Sequence, residues 1–581
     1  MSKVFHPETD VASAVFEDLC DKERRTISKA SLVQFFEKTQ GESPPPDLKD
    51  EYDITEAFNE FVLTGANFVS AESTVDEDTM HEPLSHYYVN SSHNTYLSGD
   101  QLFSKSSTNA IKRAMLHGCR VIELDCYDGS KEEPIIMHGG TATQPISFRS
   151  AIACINEDAH TVSQYPLIVT LENHCSRKKR DLMAKILQEE LGEKLYVPPT
   201  SRVEKWPSPA SLKGRVVIRD KTKHKQDKKK KGLTAEASSI GPRLTAAADV
   251  DDIKLTDGND RGDDDNDDVI PDEEEDDDDD VDVDGDDTAP SSPTSTTTST
   301  GAMGKSKSLV IDTSLKSLVS VPNEKFKTFD DAAATTHVFS CSWGEAKLLS
   351  RAQGTDPKVM HGFTEKHMLR CYPAGHRIMS DNYDPSPAWS VGAQMVALNF
   401  QANDKPTWLN RGKFAVNGGC GFIKKPKYLL DPAVPRPVEP SKSLSVTIFA
   451  GSGWENFKDA DLFDAPDTYV KVTLAGSMKD NNKSHQTSVF NTNKKIGPTA
   501  QPYFNETFSF DVVEPELALL LFTVYDHDTT SQDDLLAQYC CPVSLIRPGA
   551  RVLPLYTEEG KYVGDTRLSS CLVVKFAIED K

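Results

Sequence analysis

Between His86 and Glu172, residues able to hold a metal ion or move a proton stand at the ends of short apolar runs. Tyr87-Tyr88-Val89 leads into Ser92-His93-Asn94, and Arg120-Val121-Ile122 leads into Glu123-Leu124-Asp125. Pro134-Ile135-Ile136-Met137 leads into His138-Gly139-Gly140, and the run from Pro166 to Leu171 leads into Glu172-Asn173-His174. Glu123 and Asp125 are two residues apart, so on a strand both carboxylates face one side. With Glu172 and the amide oxygen of Asn94 they form an all-oxygen donor set. Such a set suits a hard cation, calcium or magnesium, better than zinc, which favours Cys or His ligands. Clustered carboxylates repel one another unless a cation lies among them. His93 and His138, beside that cation, fit acid–base cleavage of a phosphate ester.

The elements that must position these groups follow from the runs themselves. Short β-branched apolar stretches bounded by Gly and polar loops read as buried parallel strands. Reactive groups where strands end are the pattern of a (β/α) barrel, whose active site lies at the C-terminal rim. Gly214 to Ile218, Leu315 to Val321 and Ala393 to Phe400 read as further barrel strands. Residues 8–70 carry helically spaced apolar positions such as Val11, Val15, Phe16 and Leu19. Beyond the proline-rich connector Pro432 to Pro440, many short strands without helical spacing indicate a β-sandwich.

Charge is localised. Of the net charge of −25, nearly all lies between Asp249 and Asp287, where 23 acidic residues face two basic ones. A Ser/Thr/Pro segment follows, and the whole stretch is predicted to be disordered because it cannot bury a core. A segment so charged should be repelled by anionic lipid, which predicts an autoinhibitory linker; a passive spacer is the alternative. Asp280 to Gly285 copies the first half of a calcium loop, but Ser291 stands where the closing Glu belongs. Nothing here points to nucleic-acid binding. No run of 18 apolar residues exists, so no transmembrane segment is expected. Met1 to His6 offers no signal-peptide core, and the 11 irregularly spaced Cys predict reduced thiols in the cytosol.

The strings Ser91-Ser92-His93-Asn94-Thr95-Tyr96-Leu97, Glu123-Leu124-Asp125-Cys126 and Leu171-Glu172-Asn173-His174-Cys175 resemble the X region of eukaryotic phosphoinositide-specific phospholipase C. Cys371-Tyr372-Pro373-Ala374-Gly375, Val396 to Gln401 and Asn417-Gly418-Gly419-Cys420-Gly421 are similar to its Y region. The resemblance implies a multidomain α/β plus all-β chain. Its parts are an EF-hand-like helical module at 1–80, the X half of a distorted TIM-type (β/α)8 barrel at 81–225, an acidic linker at 226–307, the Y half at 308–430 and a C2 domain at 431–581. Asp21 to Thr26 lacks the alternating ligands of a calcium loop, so the helical module is expected to bind none. With no pleckstrin-homology domain ahead of it, the architecture resembles the plant-type, delta-like form.

The same resemblance implies a calcium-dependent phosphodiesterase acting on phosphatidylinositol 4,5-bisphosphate and releasing diacylglycerol and inositol 1,4,5-trisphosphate. Glu123 or another ligand carboxylate is the expected base. His93 and His138 share the roles at the leaving oxygen and the phosphoryl oxygens, in either order. Arg219 (where lysine is common), Lys221, Ser342, Arg370 and Tyr372 fall where the family contacts the headgroup. Asp461, Asp467, Asp526, Asp528 and Asp534 fall where a C2 domain binds calcium. The expected partner is an anionic phosphoinositide membrane surface, met by a monomeric cytoplasmic enzyme peripheral at the plasma membrane. An inactive scaffold would be expected to lack a histidine or a ligand, and none is missing; an enzyme for glycerophosphodiesters would not need Arg370, Tyr372 or the C2-like module.

Overall fold

A computed structural model describes residues 11–70, 73–129, 133–200, 202–221, 314–457, 466–481, 483–491, 501–529 and 531–581. The acidic linker and Asp461 lie outside the described residues.

The first module contains helices Val11–Val15, Lys29–Gln34 and Ile54–Ala57. It also contains a ladder that the helical spacing did not reveal: β1 (Thr26–Ser28) pairs antiparallel with β2 (Glu51–Asp53), Ile27 opposite Tyr52. Three-residue strands carry too little alternation to be read against strong flanking helical patterns. Phe16, Phe35 and Phe58 form a core that continues into Phe449 and Val573 of the C-terminal sandwich.

Eight parallel strands then close on themselves. They are β3 (Tyr87–Ser92), β4 (Val121–Tyr127), β7 (Leu167–Asn173), β8 (Val216–Lys221), β9 (Val319–Asn323), β10 (Ser340–Gly344), β11 (Met368–Tyr372) and β12 (Met395–Leu398). β12 pairs with β3, which pairs with β4, completing the barrel. The two halves contribute four strands each, and the linker interrupts the chain between β8 and β9, which are direct neighbours. Two expectations are corrected. The Pro134 to Met137 run is not a parallel barrel strand: β5 (Ile135–Ile136) is two residues long and pairs antiparallel with the end of β4, forming a ribbon with β6 (Ile146–Ser147). Leu315–Leu318 is a helical turn, and β9 begins only at Val319.

Inward positions alternate along each strand, and their chemistry changes with height. Val121, Ile168, Val217, Val321, Met368 and Met395 fill the lower barrel as one apolar cluster. Two residues further on, the same faces carry Glu123, Thr170, Arg219, Asn323, Arg370 and Ala397. The apolar lower layer thus forms the floor of a polar upper one, as the period of two requires.

β13 (Phe422–Lys424) adds antiparallel to β3. The C-terminal sandwich follows: β14 (Lys442–Ser452), β15 (Thr468–Ala475), β16 (Lys483–Gln486), β17 (Tyr503–Val512), β18 (Leu519–Asp526), β19 (Asp534–Pro542), β20 (Gly549–Pro554) and β21 (Cys571–Asp580). They form two four-stranded sheets, ordered β17-β14-β21-β20 and β16-β15-β18-β19. Barrel residues Leu398 and Trp408 share a core with Leu519 and Leu521 of the sandwich. Nearby, buried Lys413 lies over the rings of Tyr88 (4.2 Å) and Trp389 (4.8 Å), and burial lowers its pKa to about 7.

Candidate active site

Strand order brings the ends of β3, β4 and β7 together, and with them the oxygens that could hold a cation. One carboxylate oxygen each from Glu123, Asp125 and Glu172 lie within 4.8 Å of one another, the one such grouping among the described residues. Asn94 joins them through its backbone, whose N–H donates to Glu123 Oε2 at 3.1 Å. To reach that position Asn94 adopts φ +38, a left-handed conformation that Asn tolerates better than most residues. The segment after β3 is stitched to β4 at every step. The Glu123 N–H donates to Thr95 Oγ1 at 3.0 Å, and the Tyr96 hydroxyl donates to Asp125 Oδ2 at 2.8 Å.

The other oxygen, Asp125 Oδ1, is buried and has no hydrogen-bond partner among the described residues. Burial, then the charges of Glu172 and Glu123, push the Asp125 carboxyl well above its usual range. Glu172, the exposed member, is lowered to about 2, chiefly by hydrogen bonding to His174, whose ring stacks on Tyr127 at 4.6 Å. Arg370 Nη2 donates to Glu123 Oε2 at 2.5 Å in an ion pair buried on both sides. Burial opposes the Arg370 charge, but Glu123 and Glu172 raise its pKa above the ordinary value. Three carboxylates with an orphaned buried oxygen, held by one guanidinium, are a donor set that fits a hard divalent cation.

Both histidines are oriented through Nδ1. His93 Nδ1 lies 2.9 Å from Asn399 Oδ1, and His138 Nδ1 lies 2.7 Å from the Gln101 carbonyl. The carbonyl can only accept, so His138 donates from Nδ1. Asn399 Oδ1 also accepts from Gln101 Nε2 at 3.3 Å, which makes His93 the donor there too. Nε2 of each ring is left for chemistry. Burial lowers the His93 pKa. His138 comes from the β5 hairpin, whose Met137 N–H donates to the Asp125 carbonyl at 3.2 Å. Gly139 is needed behind it, because a Cβ there would stand 1.9 Å from the Tyr127 hydroxyl.

Gln101 was not legible as a functional residue, yet it touches most of this machinery. Its Oε1 accepts from Asn94 Nδ2 at 2.9 Å, its Nε2 donates to Ser380 at 2.7 Å and to Asn399, and its carbonyl holds His138. Asn399, Thr95 and Tyr96 were missed likewise. No spacing rule could have revealed Gln101 and Asn399, which lie 298 residues apart.

Both halves of the barrel supply cations, Arg219 and Lys221 from β8 and Arg370 from β11. Arg219 is buried, and its Nη2 donates to Ser342 Oγ at 2.7 Å. Lys221 is exposed at the end of the same strand. Arg370 lies 5.2 Å from the centre of the Tyr372 ring, so Tyr372 backs the guanidinium. In the sandwich, Asp526 is buried opposite Thr468, and Asp534 is exposed opposite Asp526 across β18 and β19. The Asp467 carbonyl accepts from the His527 N–H at 2.7 Å. Asp528, whose carboxylate accepts from the Ser531 hydroxyl, donates its N–H to Asp533, which also accepts from the Tyr469 hydroxyl at 2.7 Å. Asp533, beside the predicted Asp534, is thus the aspartate that organises this loop.

The chain is similar in sequence and fold to known proteins. Residues 80–222 match the family described as phosphatidylinositol-specific phospholipase C, X domain, residues 315–428 match its Y domain, and residues 442–557 match the C2 domain. The chain is 35% identical over 517 residues to phosphoinositide phospholipase C 7 of Arabidopsis thaliana, covering 87% of this chain and 84% of the relative. It is 31% identical to human 1-phosphatidylinositol 4,5-bisphosphate phosphodiesterase delta-1, covering 96% of this chain and 70% of that one. In fold it is similar to a crystal structure of PLC21 from S. officinalis, with a TM-score of 0.73, 23% identity, and 99% and 68% of the two chains covered.

Proposed function

Because the chain belongs to the phosphoinositide-specific phospholipase C family, we propose that it cleaves phosphatidylinositol 4,5-bisphosphate into diacylglycerol and inositol 1,4,5-trisphosphate in a calcium-dependent reaction. The observation that carries this reading is the meeting, at one rim, of three clustered carboxylates, two histidines oriented through Nδ1 and two buried arginines. Asn94, Glu123, Asp125 and Glu172 would hold the calcium ion. When bound, calcium would supply positive charge to the phosphoryl oxygens and lower the pKa of a nearby hydroxyl.

Arg219, Lys221, Ser342 and Arg370 bind the ring phosphates, and Tyr372 flanks the ring. The inositol 2-hydroxyl attacks the adjacent phosphorus as Glu123 takes its proton. The bond to the glycerol oxygen breaks, and His93 Nε2 delivers a proton to that oxygen. His138 Nε2 donates to a phosphoryl oxygen as charge builds there. Burial disfavours the charged form of His93, and an anionic phosphate beside it restores that form, which couples protonation to substrate binding. His93, then neutral, accepts a proton from the water that attacks the cyclic phosphorus, and Glu123 returns its proton to the inositol 2-oxygen as the bond from that oxygen to phosphorus breaks.

The partner surface is anionic lipid at the plasma membrane, approached by a monomer from the cytoplasm. Among the described residues no helix is long and apolar enough to cross a membrane. Two rim loops joined by the Gln101 N–H to the Ile378 carbonyl expose Phe103 (76%) and Met379 (74%), apolar groups suited to the interfacial layer. Asp467, Asp526, Asp528 and Asp534, with Asp461, are proposed as the C2 calcium loops beside that surface. The acidic linker is proposed as a restraint on this approach. Turnover of radiolabelled phosphoinositides in mixed vesicles across a calcium titration, beside His93→Ala, tests the function; calcium-independent turnover, or turnover retained by His93→Ala, would refute it.

A further inference from the structure

Arg219 is a buried cation whose hydrogen-bond partners are all neutral. Its Nε donates to Ser340 Oγ at 3.0 Å, and Nη2 donates to Asn323 Oδ1 at 2.9 Å and to Ser342 Oγ at 2.7 Å. Ser340 is itself fixed, because its hydroxyl donates to the Pro322 carbonyl at 3.0 Å and so presents a lone pair to Nε. Asn323 ends β9 opposite both Lys221 and Ser340, between the two strands that bear the predicted headgroup contacts. Three of the five guanidinium hydrogens are therefore taken, and the plane of the group is set. The two on Nη1 have no partner among the described residues. Glu123, whose charge acts on Arg219, is already paired with Arg370. A buried charge with neutral partners and two unused donors calls for an anion. Burial, then Arg370, lowers the Arg219 pKa to about 9, so the group remains cationic at neutral pH.

We infer that Asn323, together with Ser340, is a positioning residue that holds the Arg219 fork with Nη1 turned to the substrate cavity, so that the site favours an inositol ring bearing phosphate over one without. A lysine at position 219 would need no such support, because an ammonium is a point charge without a plane to fix. The arginine does, and Asn323 and Ser340 supply it. The inference rests on the phosphodiesterase reading above and adds the origin of its headgroup preference. An uncharged side chain at 323 is part of it: a carboxylate there would pair with Arg219 and cancel the charge meant for phosphate.

The test compares full-length wild type, Asn323→Ala and Asn323→Asp on vesicles containing either phosphatidylinositol or its 4,5-bisphosphate, with kcat and KM measured separately. The expected result is a loss of discrimination between the two lipids of about tenfold in Asn323→Ala, carried by KM for the bisphosphate, and a larger loss in Asn323→Asp. In an Arg219→Ala background, Asn323→Ala should cost no further discrimination, because the two residues act as one unit. Equal losses on both lipids, additive losses, or a milder effect of Asp than of Ala would overturn the inference. If wild type cleaves neither lipid, the phosphodiesterase reading fails instead.

Discussion

Replacing Arg370 by methionine should destabilise the calcium-free protein far more than the calcium-bound one. Arg370 Nη2 is 2.5 Å from Glu123 Oε2, both side chains are buried, and Asp125 and Glu172 lie close enough to share a cation. Methionine keeps the bulk of the side chain and removes the charge. Removing one partner of a buried pair costs about 3–5 kcal/mol, because the other is left uncompensated. For a domain of this size each kcal/mol shifts Tm by about 2–4 °C, so a fall on the order of 10 °C is expected in chelator. A divalent ion among the carboxylates supplies the missing charge, and with saturating calcium the gap to wild type should shrink to about 3 °C. Differential scanning fluorimetry of both proteins, in EDTA and in calcium, measures this. Any calcium taken up by the C2 loops would stabilise both proteins alike and drop out of the comparison. A gap of equal size in both conditions, or none in EDTA, would refute the idea that Arg370 and a metal ion neutralise the same carboxylates.

His93→Ala and His138→Ala should each lower kcat by about 10²–10⁴-fold while leaving Tm within about 2 °C of wild type, measured by vesicle turnover and fluorimetry. Gln101→Leu removes the bonds to Asn94, Ser380 and Asn399 and should raise the calcium needed for half-maximal turnover by about 10–100-fold, read from a calcium titration. Lys413→Met should stabilise the protein on the order of 2 kcal/mol at pH 6, and the gain should fade toward pH 10. The sign follows from the folded pKa of about 7, far below that of an exposed lysine: the buried charge is a cost below pH 7, and between there and about pH 10 the unfolded chain alone carries the proton. Chemical denaturation at the two pH values measures it.

The site was legible where local pattern and chemistry coincide. Glu123, Asp125 and Glu172 follow unbroken apolar strands, and the period of two places each one's side chain without further information. His138 was found for the wrong structural reason. Its preceding run looks like the barrel strands, but the two residues of β5 pair antiparallel with Cys126 and Tyr127, a partnership set by tertiary contact rather than by composition. Asp125 Oδ1 without a partner, Gln101 bridging to Asn399, and Asn323 holding Arg219 from 104 residues away are three-dimensional facts with no periodic signature. Asn, Gln and Ser are common enough in loops that their types alone say little.

The central claim, that Asn94, Glu123, Asp125 and Glu172 converge on one divalent ion, is tested most directly by anomalous diffraction from crystals soaked in calcium or a lanthanide. The account predicts a single peak at the barrel rim within about 2.3–2.6 Å of oxygens from all four residues. A rim without a peak at saturating ion, or an ion there that leaves Asn94 or Asp125 uncoordinated, would contradict it.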